Sequence, residues 1–336
     1  IEVSYTLNRK NALKNADFVM TQLRVGGLDA RAKDESIPLK YHVIGQETTG
    51  PGGFAKAIRT IPVMLEICKD MEKICPDAWL INFTNPAGIV TEAINRYTSI
   101  KNIGLCNVPL NMHHDIAKKL NVAPDEIYCN VIGLNHLSYV NQVYYKGKNV
   151  IQKALEVKDE KGIVENIDKI DDMDIIAERL GLFLSPYLQY FYFEKEMLEK
   201  ELTSVAENKG TRAQQVQEVE AKLFELYKNE SLKDKPLELS KRGGARYSEA
   251  AIDLINSIYN NIGDIQVVNV NNNGSIIDLP FQCSIEVNCV INNQGAIPIT
   301  NGHLPIEVKG LIQQVKTYEQ LTIEAAVTGN YNTALL

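Results

Sequence analysis

The 336-residue sequence contains no apolar run approaching the roughly 20 residues that a membrane-spanning helix requires. A membrane-embedded function is therefore not expected. Its first ten residues, IEVSYTLNRK, lack the basic start, apolar segment and small-residue cleavage site of a secretory signal, and there is no initiator Met. The last residues, YNTALL, stop inside an apolar helical pattern, so both ends read as cut from something longer. Basic residues are in deficit, 35 against 42 acidic ones, for a net charge of −7. That balance argues against nucleic acid and anionic membrane as partners, while leaving room for an anionic substrate held by local arginines and helix N-termini. Cysteines are few: six, at positions 68, 75, 106, 129, 283 and 289, with neither disulfide-framework spacing nor a CxxC pair. A reducing cytoplasm is expected, with five of the six as buried thiols and Cys106 a separate case.

What is present is ordinary for a globular chain, 45% hydrophobic and 23% charged residues. The length favours two domains, each able to bury its own core. Up to about residue 108, short apolar runs alternate with helical patterns. ADFVMTQL (16–23), AWLINFTN (78–85) and KNIGLCN (101–107) read as buried parallel strands ending in polar loops. Segments 51–75 and 86–97 carry apolar residues at helical spacing, the second opened by a proline, and PLNMHHDIAKKL starts another helix. A βαβ series of this kind predicts a parallel sheet with its ligand site at the strands' C-terminal ends. After residue 120 the texture changes. Antiparallel strands are expected over 126–151, a charged helical region from about 151 to 232, and strands with Asn/Gly turns again over 265–299. The expected division is thus a parallel-sheet α/β domain over 1–108 and an α+β domain over 109–336, with ENKGTRAQQ (207–215) the nearest approach to a linker.

Several residues could carry chemistry. Cys106, in GLCNVP, sits at a strand's C-terminal end. It is either a buried thiol or, with His136 from the loop in GLNHLSY, half of a site for a divalent transition metal whose other positions stay open. GQETTGPGGF (45–54) sets Glu47 before a glycine-rich helix start; the alternatives are a turn and cap, or an anion-binding helix N-terminus with Glu47 as a nearby base or charge. Arg24, in RVGG, is a solvated turn residue or lies over a pocket at the sheet's edge. Tyr247, where RGGARYSEAA enters a helix, could act as a base if a metal or Arg246 lowered its pKa; otherwise it is an amphipathic core-edge residue. The aromatic run LFLSPYLQYFYF (182–193) reads as core or subunit interface, and His113–His114 as half-solvated helix residues.

Taken together and in order, RVGG, IGQETTGPGGF, INFTNPAGIVTEA, GLCNVP, VIGLNHLSYV and GGARYSEAA resemble the family 4 glycoside hydrolases over nearly the whole chain, most closely their 6-phospho-β-glucosidase type. The resemblance implies a fold like lactate and malate dehydrogenases, a Rossmann domain followed by an α+β domain. It also implies a glycosidase that departs from the two-carboxylate route. NAD+ takes hydride from sugar carbon 3, a base removes the acidified proton on carbon 2, the aglycone leaves by elimination, water adds, and the hydride returns. A divalent metal, usually Mn2+, polarises the oxygens on carbons 2 and 3. Residue by residue, the resemblance makes Cys106 and His136 the metal ligands, Tyr247 the base, and Glu47 the acid that raises its basicity. Arg24, Asn85 and Asn107 become substrate contacts, and Thr21, Gln22 and Asn85 approach the dinucleotide. Members acting on α-glycosides carry aspartate where this chain has Asn107; an amide cannot protonate a leaving group, so β-glycosides such as cellobiose 6-phosphate are favoured and the general acid is left unassigned. The further implications are a phosphorylated disaccharide or aryl glycoside as substrate, a cytoplasmic location, and a homodimer or homotetramer.

One departure stands out. No GxGxxG turn follows any expected strand, so the first βα unit of the Rossmann domain is expected to lie outside this chain. Two alternatives to a glycosidase are a lactate/malate-type NAD-dependent dehydrogenase, which has no use for a Cys–His metal pair, and an inactive remnant that binds sugar phosphates or only dimerises.

Overall fold

The computed structural model describes residues 2–157, 170, 172–242 and 246–336. Its strands are β1 (Phe18–Thr21), β2 (Trp79–Asn82), β3 (Lys101–Gly104), β4 (Ile127–Leu134), β5 (Leu137–Tyr145), β6 (Lys148–Asn149), β7 (Phe183–Leu184), β8 (Asp264–Asn271), β9 (Ser284–Asn292) and β10 (Gly295–Pro298). The helices are α1 (Arg9–Ala12), α2 (Gly27–Leu39), α3 (Gly50–Ile74), α4 (Ala87–Tyr97), α5 (Val108–Leu120), α6 (Ile151–Leu155) and α7 (Asp172–Leu180). They continue with α8 (Gln189–Tyr192), α9 (Glu194–Ala206), α10 (Arg212–Tyr227), α11 (Tyr247–Asn260), α12 (Ile306–Thr328) and α13 (Tyr331–Leu335). Two compact units share the chain: Ile1–Val25, Ala57–Cys106 and Ala251–Leu336 form the first, Gly26–Lys56 and Asn107–Ala250 the second.

The first unit holds a six-stranded sheet in the order β1-β2-β3-β8-β9-β10. β1, β2 and β3 run parallel in register, Thr21 opposite Asn82 and Asn82 opposite Gly104, which lines up their C-terminal ends. β3 then pairs antiparallel with β8, and β8 with β9. The three parallel strands fall within the windows read from sequence. Strands β8–β10, however, complete this same sheet, whereas the linear division at 108/109 groups them with the second domain. Alternating apolar residues specify a strand but not which distant strand it pairs with. Ile61, Met64 and Met71 of α3, Ile94 of α4, Leu80 of β2 and Ile323 of α12 pack into one core. α4 is buried continuously from Ala87 to Ile94, and this run includes Glu92. Glu92 accepts from the Ser284 amide at 2.9 Å and from the buried Lys316 ammonium at 2.9 Å, and Lys316 also pairs with Glu319. Burial opposes the charge on Lys316, but Glu319 and then Glu92 outweigh it and raise its pKa.

The second unit is built on the antiparallel sheet β4-β5-β6, with β7 added to β5. β4 and β5 meet through a two-residue loop, Asn135–His136, with Leu134 opposite Leu137. Close approach demands Gly133, at φ 128°: a Cβ there would lie 2.4 Å from the Leu137 carbonyl oxygen. α2, to which the sequence reading assigns no element, buries Asp34 and Glu35 beside Leu28 and Leu39. An acidic buried face does not register as an amphipathic pattern. It is satisfied in space, because Glu35 accepts from the Ala213 amide of α10 at 2.6 Å and from Arg31 at 2.7 Å. ENKGTRAQQ turns out to join α9 to α10 within this unit. Parts of the expected charged helical region (158–169 and 171) and of the glycine-rich approach to Tyr247 (243–245) lie outside the described residues.

Candidate active site

In the first unit, the ends of the three parallel strands gather five of the expected site residues. Thr21 closes β1, with Gln22 exposed and Arg24 half-buried just beyond it. The Thr21 hydroxyl donates to Asn82 Oδ1 at 3.1 Å, so its side chain is committed inside the sheet. Asn82 Oδ1 also accepts from the Thr84 amide at 3.0 Å, and Thr84 Oγ1 accepts from the Leu23 amide at 3.0 Å, which ties the two strand ends together. Beyond β2, Asn85 precedes a cis Asn85–Pro86 peptide bond and its Oδ1 accepts from the Ala87 amide at 3.3 Å, at the start of α4. Beyond β3, Cys106 ends the unit and is buried. No disulfide joins any of the six cysteines. Burial pushes the thiols of Cys68, Cys129 and Cys283 up to about 12 and raises those of Cys75 and Cys289, as expected of inert core cysteines. Asn107 follows as the buried N-cap position of α5 in the second unit.

The second unit brings Glu47 and His136 together. Residues 45–49 turn into α3, whose first turn packs against them: Gly52 has no room for a Cβ, which would stand 2.3 Å from the Gln46 carbonyl oxygen. Gln46 Oε1 accepts from the amides of Thr48 and Thr49 and from the Thr48 hydroxyl at 2.8 Å. Thr48 Oγ1 in turn lies 3.0 Å from His136 Nδ1. His136 occupies the left-handed region at φ 63°, an uncommon conformation for a non-glycine residue. Its ring stacks on Tyr187 with centroids 3.7 Å apart and planes 4° from parallel. Burial drops its pKa to about 3, with Glu47 pulling upward and Lys56 downward, so the imidazole is neutral across the physiological range. Glu47 is bracketed by cations, Arg31 at 3.1 Å on one oxygen and the buried Lys56 at 2.6 Å on the other. Burial, the largest influence on Arg31, opposes its charge, but Glu47 and then Glu35 raise its pKa overall.

Tyr247 opens the 14-residue helix α11 and is half-buried. Arg246, at φ 64°, sends its guanidinium to His114 Nε2 at 3.0 Å and to Glu249 at 3.2 Å. His113, half-buried on α5 as expected, lies 2.8 Å from the Pro124 carbonyl oxygen.

Sequence reading overlooked Gln46, Thr48, Lys56 and Arg31 as partners of the motif residues. The polar QETT run was the available sign for Gln46 and Thr48. Tyr187 belongs to the aromatic run read as core or interface; its neighbours Leu184 and Leu188 are indeed buried, while Tyr187 itself covers the His136 ring.

A neutral, hydrogen-bonded imidazole suits a divalent transition metal. Among the described residues no group of three or more His, Cys, Asp or Glu side chains could hold a metal on its own. The parallel strand ends with Gln22, Arg24 and Asn85 fit the place where open α/β sheets take a dinucleotide.

The family 4 glycosyl hydrolase model matches residues 1–122, and the model of the family's C-terminal domain matches residues 131–336. The chain belongs to the family 4 glycosyl hydrolases. It is 51% identical over 340 residues to a probable 6-phospho-beta-glucosidase of Bacillus subtilis (strain 168), covering 100% of this chain and 77% of that one. A structure of the 6-phospho-beta glucosidase from Thermotoga maritima with manganese, NAD+ and glucose-6-phosphate superposes at TM-score 0.88 and 37% identity, covering 98% and 77% of the two chains. A malate dehydrogenase from Plasmodium falciparum shares the fold at TM-score 0.50 and 12% identity, covering 96% of this chain and 80% of that one. That likeness concerns the fold alone, and it agrees with the expected dehydrogenase-like architecture.

Proposed function

We propose that this protein hydrolyses 6-phospho-β-glucosides, cellobiose 6-phosphate among them, with NAD+ and Mn2+ as cofactors. The observation that carries the reading is the 51% identity to a probable 6-phospho-beta-glucosidase along the entire chain. It is supported by Asn107 at the position where the α-acting type is expected to carry an aspartate, since an amide has no proton to give a leaving group. When bound, NAD+ supplies a reversible hydride acceptor for sugar carbon 3, and Mn2+ supplies a Lewis acid beside the oxygens on carbons 2 and 3.

The chain's own residues do the rest. Cys106 and His136 hold the metal; the fit rests on the neutral His136 imidazole and on Cys106 at a strand's C-terminal end. Tyr247 removes the proton from carbon 2. It is the first residue of α11. Glu47, its carboxylate fixed by Arg31 and Lys56, supplies the charge that raises that basicity. Arg24, Asn85 and Asn107 contact the sugar, and Thr21, Gln22 and Asn85 face the dinucleotide. The Thr21 hydroxyl donates its proton to Asn82 and keeps only its acceptor lone pairs for a ligand. A cytoplasmic location, aryl 6-phospho-β-glucosides as alternative substrates, and assembly into a dimer or tetramer complete the proposal. The disulfide-free cysteines support the location, and among the described residues no helix is long and apolar enough to cross a membrane.

The test is hydrolysis of an aryl 6-phospho-β-glucoside, protonated or deuterated at carbon 2, with and without NAD+ and Mn2+. Dependence on both additives and a slower reaction of the deuterated sugar are expected. Full activity without either would refute the proposal and make the protein an ordinary hydrolase.

A further inference from the structure

The turn ahead of α3 determines which nitrogen of His136 is available. Gln46 Oε1 accepts from two backbone amides, those of Thr48 and Thr49, and an amide can only donate; this identifies the atom as the oxygen. The Thr48 hydroxyl lies 2.8 Å from that same oxygen. A hydroxyl has one proton, and two lone-pair atoms at this distance without it would repel, so Thr48 spends its proton on Gln46. Toward His136 Nδ1, 3.0 Å away, Thr48 Oγ1 must then accept. The proton of the neutral imidazole therefore sits on Nδ1, and the lone pair on Nε2. The Tyr187 ring, parallel and 3.7 Å away, fixes the plane in which that lone pair lies.

We propose that Gln46 and Thr48 are positioning residues that lock His136 as its Nδ1–H tautomer, so that Nε2 is presented as a ready divalent-metal ligand. This rests on the assignment of His136 to the metal, but the relay itself is a property of the second unit alone. It acts before any metal arrives: no tautomer change has to accompany binding, and the ligand nitrogen is made more basic by the bond its partner nitrogen donates.

The test uses the full chain labelled with 15N-histidine, in which there are five histidines to resolve. Long-range 1H–15N correlations on the metal-free protein report the His136 tautomer, and the free Mn2+ signal in electron paramagnetic resonance reports metal affinity. The wild type is expected to show Nδ1–H. Thr48→Val, which keeps the shape but cannot accept, should lose the single tautomer and weaken Mn2+ binding by about 10- to 100-fold, and Thr48→Ser should restore both. An Nε2–H tautomer in the wild type, or a tautomer and affinity unmoved by Thr48→Val, overturns the proposal. If the tautomer responds as expected but His136→Ala binds Mn2+ as tightly as wild type, the metal assignment has failed, and with it the relay's purpose.

Discussion

Lys316 offers a direct test of what holds the first unit together. Its ammonium is 2% exposed, 2.9 Å from the fully buried Glu92 of α4, and in contact with Glu319 one turn further along α12. Lys316→Met keeps the length and most of the volume while removing the cation that both carboxylates share. Removing one side of a buried ion pair costs about 3–5 kcal/mol, because the charge left behind is desolvated and uncompensated. The Ser284 amide and Arg96, 3.6 Å from Glu92, still serve the other side, which argues for the lower half of that range. At about 2–4 °C per kcal/mol for a domain of this size, the melting temperature should fall by roughly 6–16 °C.

The loss should also depend on pH. Burial holds the Glu319 carboxyl above the usual range, with Lys316 pulling it down and Glu92 pushing it up. A carboxyl with a raised folded pKa binds its proton more tightly in the folded state. Its stabilisation is therefore present below the unfolded pKa and lost as the pH rises towards the folded value. Without Lys316 that loss deepens, so the deficit should be largest at pH 8 and shrink towards pH 5. Thermal and urea melts at both pH values measure it, and the triple variant with Glu92→Gln and Glu319→Gln should recover most of the loss. A deficit below about 1 kcal/mol at pH 8, or one equal at both pH values, would refute the account.

Cys106→Ser should abolish Mn2+-dependent turnover while leaving the melting curve unchanged; activity at the wild-type level would remove Cys106 from the metal site. Tyr247→Phe should lose most of its activity yet keep its Mn2+ affinity, and a loss of metal instead would show that the tyrosine has a different role. Glu201, whose carboxylate accepts from the Gly45 amide at 2.8 Å, is lifted to about 7 by burial. Stability from this group is present at low pH and lost as the pH rises through about 7, so Glu201→Gln should stabilise the protein on the order of 1 kcal/mol at pH 8 and hardly at all at pH 5, as read from urea melts. Gly52→Ala drives a Cβ to within 2.3 Å of one backbone oxygen and 2.9 Å of another, and should cost about 2–4 kcal/mol in the same melts; a neutral outcome would mean that the packing around the first turn of α3 yields easily.

Local pattern made the elements legible and left their assembly hidden. β1, β2, β3, the β4–β5 hairpin and helices α3, α4 and α5 lie where apolar spacing and turn residues put them, because each satisfies its backbone within a short segment. Which strands share a sheet was not legible: β8 meets β3 at Gly104 and Asn269, residues 165 apart in sequence, and no local signal encodes that pairing. α2 escaped for the opposite reason. Its inward face carries Asp34 and Glu35, which can be buried only because an amide of α10 and a neighbouring arginine meet Glu35 there.

The same asymmetry governs the candidate site. Cys106, Asn85 and His136 were singled out by the motifs they stand in, and their backbone settings, just past the ends of strands or in a two-residue loop, are fixed within short segments. The groups that tune them are not constrained in that way. A threonine hydroxyl, a glutamine oxygen or a tyrosine ring can arrive from any segment that the fold brings near, so Tyr187 carried no signature, and for Gln46 and Thr48 the polar run flanking Glu47 was the one sign. Glu47 shows the consequence. As an isolated carboxylate before a helix it could be read as a base, whereas between Arg31 and Lys56 both of its oxygens are already engaged by cations. A carboxylate so held acts through its field on neighbouring groups, and that is the role the proposed mechanism assigns to it.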